Sequence, residues 1–168
     1  MAICSNVIVV MKQIYYAATI YTVLGLLSGL FYRDYTKSHD FTGKTELAVT
    51  HTHLLTLGTL FFLIVLVLEK QFTLSSQRLF GWFFWTYNVG VLWAVACMTA
   101  IGMRTVQGRT ESNLLAHLSG GAHILLTIAF TLFFSCLYRP ATATGHTPSR
   151  HPFRHENSRY SRNAGGRI

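Results

Sequence analysis

Charged residues are scarce in this chain. Only 12% of its 168 residues are Asp, Glu, Lys or Arg, whereas a typical soluble domain carries about a quarter. The apolar share is 51%, so the composition disfavours a soluble globular protein. The charge that is present is basic, +8 in total, and a large part of it follows residue 138. This distribution is typical of a membrane protein with a basic tail and disfavours a nucleic-acid-binding protein.

Cysteine is also rare, and its spacing excludes several kinds of site. Cys4, Cys97 and Cys136 lie far apart and form neither a CxxC nor a CxxCH motif. Thioredoxin-like redox chemistry, a cysteine zinc site and covalent attachment of c-type haem are therefore excluded. The sequence also has no Ser-His-Asp grouping, no phosphate-binding glycine loop and no paired carboxylates within its apolar runs. These absences argue against a hydrolase or a kinase.

Long apolar runs are abundant. A helix needs roughly 18 to 25 apolar residues to cross about 30 Å of hydrocarbon. Four runs meet this requirement, and the short connections between them predict antiparallel neighbours. The expected fold is an all-α, integral membrane, four-helix up-down bundle with a disordered basic tail. The expected spans are Ile14–Tyr32, Leu47–Leu68, Leu79–Met103 and Leu114–Tyr138.

Two regions follow from this division of the chain. Residues 11–139 form the predicted transmembrane domain, and residues 140–168, which are polar and rich in arginine, form the predicted tail. Lys and Arg concentrate on the side of the bilayer that carries both termini and the connection after residue 68. The positive-inside rule therefore predicts that both termini are cytoplasmic.

Histidines inside two apolar runs give the sharpest functional signal. His51 and His53 lie early in the second span, and His117 and His123 lie early in the fourth. These two spans run parallel, so their histidines are expected at similar depths below the non-cytoplasmic face. At 1.5 Å per residue, the four depths range from about 5 to about 14 Å. The two histidines of a pair point in different directions around their helix. One histidine from each span can therefore meet inside the bundle, while the others face a helix interface, the headgroups or a second subunit.

Bis-histidine ligation of haem b fits this pattern best. Its macrocycle is apolar, its iron binds imidazole nitrogen, and its propionates need nearby cations. We expect His53 and His123 to be the axial ligands, with His51 and His117 as secondary ligands or propionate partners. A flat ring could approach the helix backbone just before His123, and cations on the same membrane face could hold the propionates. These additional candidates are Gly120, Gly121, Arg33, Arg104 and Arg109.

A zinc or copper ion held by the same four histidines is the alternative. Such sites usually recruit Cys, Asp or Glu as well as His. The carboxylates on this face, Asp34, Asp40, Glu46 and Glu111, are expected in loops away from the deep histidines. That expectation favours haem over a bare metal ion.

Several further residues suggest contacts between helices or at the membrane surface. Gly25 and Gly29 form a GxxxG spacing that suits packing within the chain or a homodimer. Tyr87 and Asn88 are expected to bond across helices or to touch a quinone or haem edge. Glu69 is expected to be a solvated anchor at the cytoplasmic surface.

The segments "YTVLGLLSGLFYRDYT", "THTHLLTLGTLFFLIVLVLEK" and "LSGGAHILLTIAFTLFF" resemble an uncharacterised family of small bacterial four-helix membrane proteins. The resemblance covers about Met11 to Arg139 and implies a bacterial cytoplasmic membrane location, but no activity. A weaker likeness is to the haem-ligating helices of the catalytic subunits of haem-copper oxidases and nitric-oxide reductases. It implies that His53 (or His51) and His123 (or His117) ligate a low-spin haem, while the histidines for copper are missing.

The function expected from these residues is electron transfer, or redox or gas sensing, by a membrane haem b protein that could engage a redox partner or a quinone. Metal-ion transport and a purely structural role in a respiratory complex are the alternatives.

Overall fold

A computed structural model describes residues 2–109 and 113–143, with side chains for residues 7–109 and 113–138. Every regular element in these residues is helical, as the sequence predicts. The part of the predicted tail from residue 144 onward lies outside the described residues. The elements are α1 (Ala2–Ser38), α2 (Leu47–His53), a π-helical segment (Leu54–Leu60), α3 (Phe61–Phe72), a 3-10 turn (Leu74–Ser76), α4 (Arg78–Val106) and α5 (Asn113–Ala143).

The four predicted membrane spans are confirmed. Four helices are long and apolar enough to cross a bilayer, and α2, the π-helical segment and α3 join into the continuous second span. Only 22–33% of each apolar window is buried inside the structure. The remainder places large apolar side chains on the outer surface, including Leu26, Leu30, Val67, Ile124 and Phe134. Exposed apolar area of this extent marks a surface that contacts lipid.

The second span lies between α1 and the pair formed by α4 and α5. α1 packs along its whole length, and α5 packs along α4. α2 packs against α1 and α4, whereas contacts between the second span and α5 are made by α3. The second span and α5 therefore meet near one end of the bundle and leave room between them at the other. We call this second end, where α2 begins, the cavity end.

Aromatic side chains fill the core where α3, α4 and α5 meet. Phe62, Phe83 and Tyr87 are fully buried. The ring of Phe61 stacks on that of Tyr87 with centroids 4.4 Å apart, and it meets Phe130 edge to face at 5.4 Å. Such pairs contribute about 0.5–1.5 kcal/mol each beyond the burial of their area. This cluster joins the second span to the α4–α5 pair.

The π-helical segment lies directly after His53 and was not predicted. In it the amide of Phe61 bonds to the carbonyls of Thr56 and Gly58 and bypasses that of Leu57, its acceptor in an α-helix. The hydroxyl of Tyr87 donates to this Leu57 carbonyl at 2.9 Å. Tyr87 and Asn88 do bond across helices, as expected, since the Tyr21 hydroxyl donates to Asn88 Oδ1 at 3.0 Å.

The GxxxG glycines of α1 face the second span. A Cβ at Gly25 would lie 2.7 Å from a methyl carbon of Leu55, and one at Gly29 would lie 3.7 Å from the His51 ring. The motif is therefore used for packing within the chain.

The expectation for Glu69 is wrong. Its side chain has no exposed surface, because the chain reverses at Thr73 (φ 50°) and folds the 3-10 turn back over the carboxylate. Glu69 accepts hydrogen bonds from the Ser75 amide at 2.8 Å and from the Ser75 hydroxyl. It thereby satisfies an amide at the start of the 3-10 turn that has no partner within the turn.

α5, the helix of the fourth span, is longer than predicted and continues through Pro140 to Ala143. Proline has no amide hydrogen, so the carbonyl four residues earlier, that of Cys136, loses its helical donor. Gln77 Nε2 donates to that carbonyl at 2.6 Å. One side chain of the loop before α4 thus compensates for a proline within α5.

We expect Gln77→Ala to destabilise the protein by about 1–3 kcal/mol, because it leaves the carbonyl of Cys136 without this donor. Thermal unfolding of the purified protein in mild detergent measures the effect. The matched control is Gln71→Ala, at an exposed position near the same end of the bundle. Equal melting temperatures for the two variants would contradict this account of the Pro140 site.

Candidate functional site

A cavity of about 380 Å³ lies between α2, α4 and α5 at the cavity end. Both of the favoured ligands, His53 of α2 and His123 of α5, line it. The apolar part of its wall comes from Val49, Met98, Ile101, Leu115 and Ala116, and the polar part from Glu46, Arg104, Thr105, Arg109 and Ser119. Its volume falls within the range of about 300–1,000 Å³ that is usual for ligand pockets.

The two cavity histidines make the same hydrogen bond to their own helices. His53 Nδ1 lies 3.0 Å from the carbonyl oxygen of Val49, and His123 Nδ1 lies 2.9 Å from that of Ser119. A carbonyl oxygen only accepts, so Nδ1 of each ring must carry the proton. In the neutral imidazole the lone pair is then on Nε2, the ring nitrogen farther from its own helix. Histidines that bind a metal through one ring nitrogen commonly donate a hydrogen bond from the other to a backbone carbonyl, which fixes the orientation of the ring.

This hydrogen bond alone does not identify a histidine as a metal ligand. His39, just beyond the end of α1, places its Nδ1 2.9 Å from the carbonyl of Tyr35 in the same way. Its ring is exposed and lies outside the cavity. What distinguishes His53 and His123 is that two such rings from different helices line one cavity.

The charges on the cavity wall favour an anion. Arg104 and Arg109 contribute two positive charges, and Glu46 contributes one negative charge. With neutral histidines the formal balance is positive. The apolar wall together with this positive rim suits a ligand that is largely apolar and carries acidic groups at one edge.

The other predicted site residues lie elsewhere. The half-buried ring of His51 faces Gly29 on α1, and His117 is exposed on α5. Arg33, Gly120 and Gly121 are also absent from the cavity wall. Gly120 faces open space, and Gly121 lies nearest to the ring of Trp93. Of the nine residues predicted for the site, the structure brings together His53, His123, Arg104 and Arg109.

Glu46 lies in the turn immediately before α2, as expected of a loop carboxylate. Its side chain lines the same cavity as His53 and His123, which was not predicted. The side chains of residues 7–109 and 113–138 contain no group of three His, Cys, Asp or Glu that could hold a metal ion. Glu111 lies outside the described residues.

α2 approaches α4 closely next to the cavity. A Cβ at Gly102 would lie 2.6 Å from the amide nitrogen of Leu47, so only glycine fits between the two backbones. The Thr45 hydroxyl donates to the Gly102 carbonyl at 2.9 Å and secures the contact. Neither the cavity nor this contact was predicted from the sequence. The glycine within the apolar run of α4 is the signal that could have indicated a close backbone approach.

We expect Gly102→Ala to destabilise the protein by roughly 1–3 kcal/mol, because the new methyl group forces α2 away from α4. Gly120→Ala, at an open position at the same end of the bundle, is the matched control. It should be neutral or slightly stabilising, since alanine is favoured over glycine within a helix. Unfolding in detergent compares the two, and a Gly102→Ala variant as stable as Gly120→Ala would contradict the close packing of α2 on α4.

Comparison with known proteins places the chain in a family. Residues 11–140 match the family model described as "Protein of unknown function (DUF2871)". The match covers most of the chain and agrees with the extent of the resemblance found in the sequence, so the chain belongs to this family. No curated protein and no solved structure matches it. The likeness to haem-copper oxidases therefore gains no support from these comparisons.

Proposed function

We propose that this DUF2871 protein binds one haem b in the cavity between α2, α4 and α5 and serves in electron transfer. His53 and His123 are the axial ligands in this proposal, and Arg104 and Arg109 hold the propionates. The observation that carries the proposal is the presence of both histidines on the wall of one cavity, each with its Nδ1 bonded to a backbone carbonyl.

The donor set suits haem better than a bare ion. Two imidazoles on separate helices can supply the two opposite ligands that a six-coordinate haem iron needs. A structural zinc site needs four protein ligands and a catalytic one three. No group of three potential ligands occurs in the part of the chain that the structure describes.

The cavity wall supports the same ligand. Val49, Met98 and Ile101 offer apolar contact to a macrocycle, while the two guanidinium groups offer charge-assisted hydrogen bonds to carboxylates. Charged side chains at the ends of membrane spans that line a cavity are often part of a functional site.

Two protein ligands favour electron transfer over gas binding. If the imidazoles of His53 and His123 both held the iron, no coordination position would be left for a diatomic gas. A haem ligated in this way supplies a one-electron couple, and the protein's part is to fix both rings and to exclude water from the apolar wall. Gas sensing would require one of the two histidines to leave the iron.

The proposed location is the bacterial cytoplasmic membrane with both termini in the cytoplasm, which puts the cavity near the outer face. The distribution of Lys and Arg supports this orientation. A homodimer, a quinone and a protein redox partner stay predictions. Most of the apolar surface of all four spans is not buried inside the structure and is therefore available for such contacts.

The test is the visible spectrum of the protein purified from haem-replete cells. We expect a Soret band in the oxidised protein and sharp α and β bands after reduction with dithionite. His53→Ala and His123→Ala should each remove the six-coordinate spectrum, because each removes one axial ligand.

The matched controls are His39→Ala and His117→Ala. The first removes a ring outside the cavity that makes the same bond from Nδ1 to a backbone carbonyl, and the second removes the other histidine of α5. Both should keep the wild-type spectrum. Loss of the spectrum in His51→Ala and His117→Ala, with retention in the two cavity variants, would transfer the ligand role to the other pair. A colourless wild-type protein would contradict the proposal, and metal analysis would then test for zinc or copper.

A further inference from the structure

The π-helical segment Leu54–Leu60 starts immediately after the ligand His53. A short π-helical turn accommodates one residue more than an α-helix does over the same rise. Conversion of the segment to regular α-helix would therefore rotate α2 relative to α3 by about 100° and shift it by about 1.5 Å. The direction in which His53 faces thus depends on this segment, since α3 is fixed in the aromatic core.

A side chain from another helix donates a hydrogen bond to a carbonyl of this segment that the π-helical pattern bypasses. The carbonyl of Leu57 is bypassed by the amide of Phe61 and accepts the hydroxyl of Tyr87 instead, at 2.9 Å. Tyr87 is fully buried, and its ring stacks on Phe61 at the end of the segment. The bond therefore forms where no water can replace it.

Two further contacts hold the segment against α1. A Cβ at Gly58 would lie 2.3 Å from the ring of Tyr21, so α1 packs directly on the π-helical backbone. The hydroxyls of Thr22 and Thr59 lie 3.0 Å apart. These contacts fix the position of the segment, whereas the bypassed carbonyl accepts its side-chain hydrogen bond from Tyr87.

We infer that Tyr87 is the positioning residue for His53. Its hydroxyl stabilises the π-helical register of Leu54–Leu60, and this register turns His53 into the cavity opposite His123. The inference rests on the proposed function for its consequence at the haem, whereas the orientation of position 53 can be tested without haem.

The haem-free test measures the accessibility of a cysteine at position 53. His53→Cys is made in a background in which Cys4, Cys97 and Cys136 are replaced by alanine, and its labelling by a charged, water-soluble thiol reagent is timed in membranes. We expect Tyr87→Phe to slow labelling, because loss of one interhelical hydrogen bond in a membrane shifts the equilibrium away from the π-helical register by roughly three- to tenfold.

Tyr21→Phe is the matched control, because it removes an equally buried tyrosine hydroxyl that bonds to Asn88 and not to the π-helical segment. Its labelling rate should equal that of the parent. Deletion of Thr56, an exposed residue inside the segment, provides the rescue. One residue fewer allows a regular α-helix with α2 and α3 in their original orientations, so the deletion combined with Tyr87→Phe should restore fast labelling.

The haem readout uses the protein with His53 intact. Tyr87→Phe should convert part of the low-spin haem to a five-coordinate, high-spin form that binds carbon monoxide, and the additional deletion of Thr56 should reverse the change. Simple loss of stability would lower the haem content without this reversal.

The outcomes separate the two proposals. Equal labelling and equal spectra in Tyr87→Phe and Tyr21→Phe would overturn the positioning role and leave haem binding intact. Slower labelling in Tyr87→Phe, reversed by the deletion, would support the positioning role even if the wild-type protein were colourless, which would reject haem binding alone.

Discussion

The fold depends on one constraint, which is that a backbone polar group within hydrocarbon must find its partner inside the protein. Regular helix meets this constraint by itself, and the described residues depart from regular helix at a few defined points. At the π-helical segment, Tyr87 donates to the carbonyl of Leu57. At the turn after α3, Glu69 accepts from the amide of Ser75. Four residues before Pro140, Gln77 donates to the carbonyl of Cys136. In each case one side chain from elsewhere in the chain provides the missing bond.

These departures are linked to the cavity. The aromatic core and the bond from Gln77 to the carbonyl of Cys136 tie α5 to the rest of the bundle near the end opposite the cavity. At the cavity end the Gly102 contact draws α2 onto α4, while α5 stays with α4. The space left between α2 and α5 is lined by two histidines, two arginines and one glutamate. Of these groups, the two histidines lie within the apolar spans, where polar side chains are costly in lipid, and this is the physical reason for assigning them a ligand.

The spans and the bundle were predictable because they follow from hydropathy and short connections, and the presence of histidines from two spans at one end of the bundle follows from helix geometry. The roles of His51 and Gly29 were harder to predict, since depth can be calculated from the chain but the rotation of a helix about its axis cannot. The π-helical segment adds a rotation that a regular helical projection does not contain. Glu69 was mispredicted because its burial depends on the left-handed residue Thr73, which folds the next turn back over it. That Glu46 lines the cavity was not predictable for a similar reason, because a residue just before a helix can point into the bundle or away from it.

The central claim is that the cavity formed by α2, α4 and α5 holds one haem between His53 and His123. Titration of the haem-free protein in detergent with haemin, followed at the Soret band, tests this claim most directly. The account predicts a saturable spectrum of six-coordinate haem with an end point of one haem per chain, and no such end point when both histidines are replaced by alanine. Non-saturable binding, or the same end point in the double variant, would contradict it.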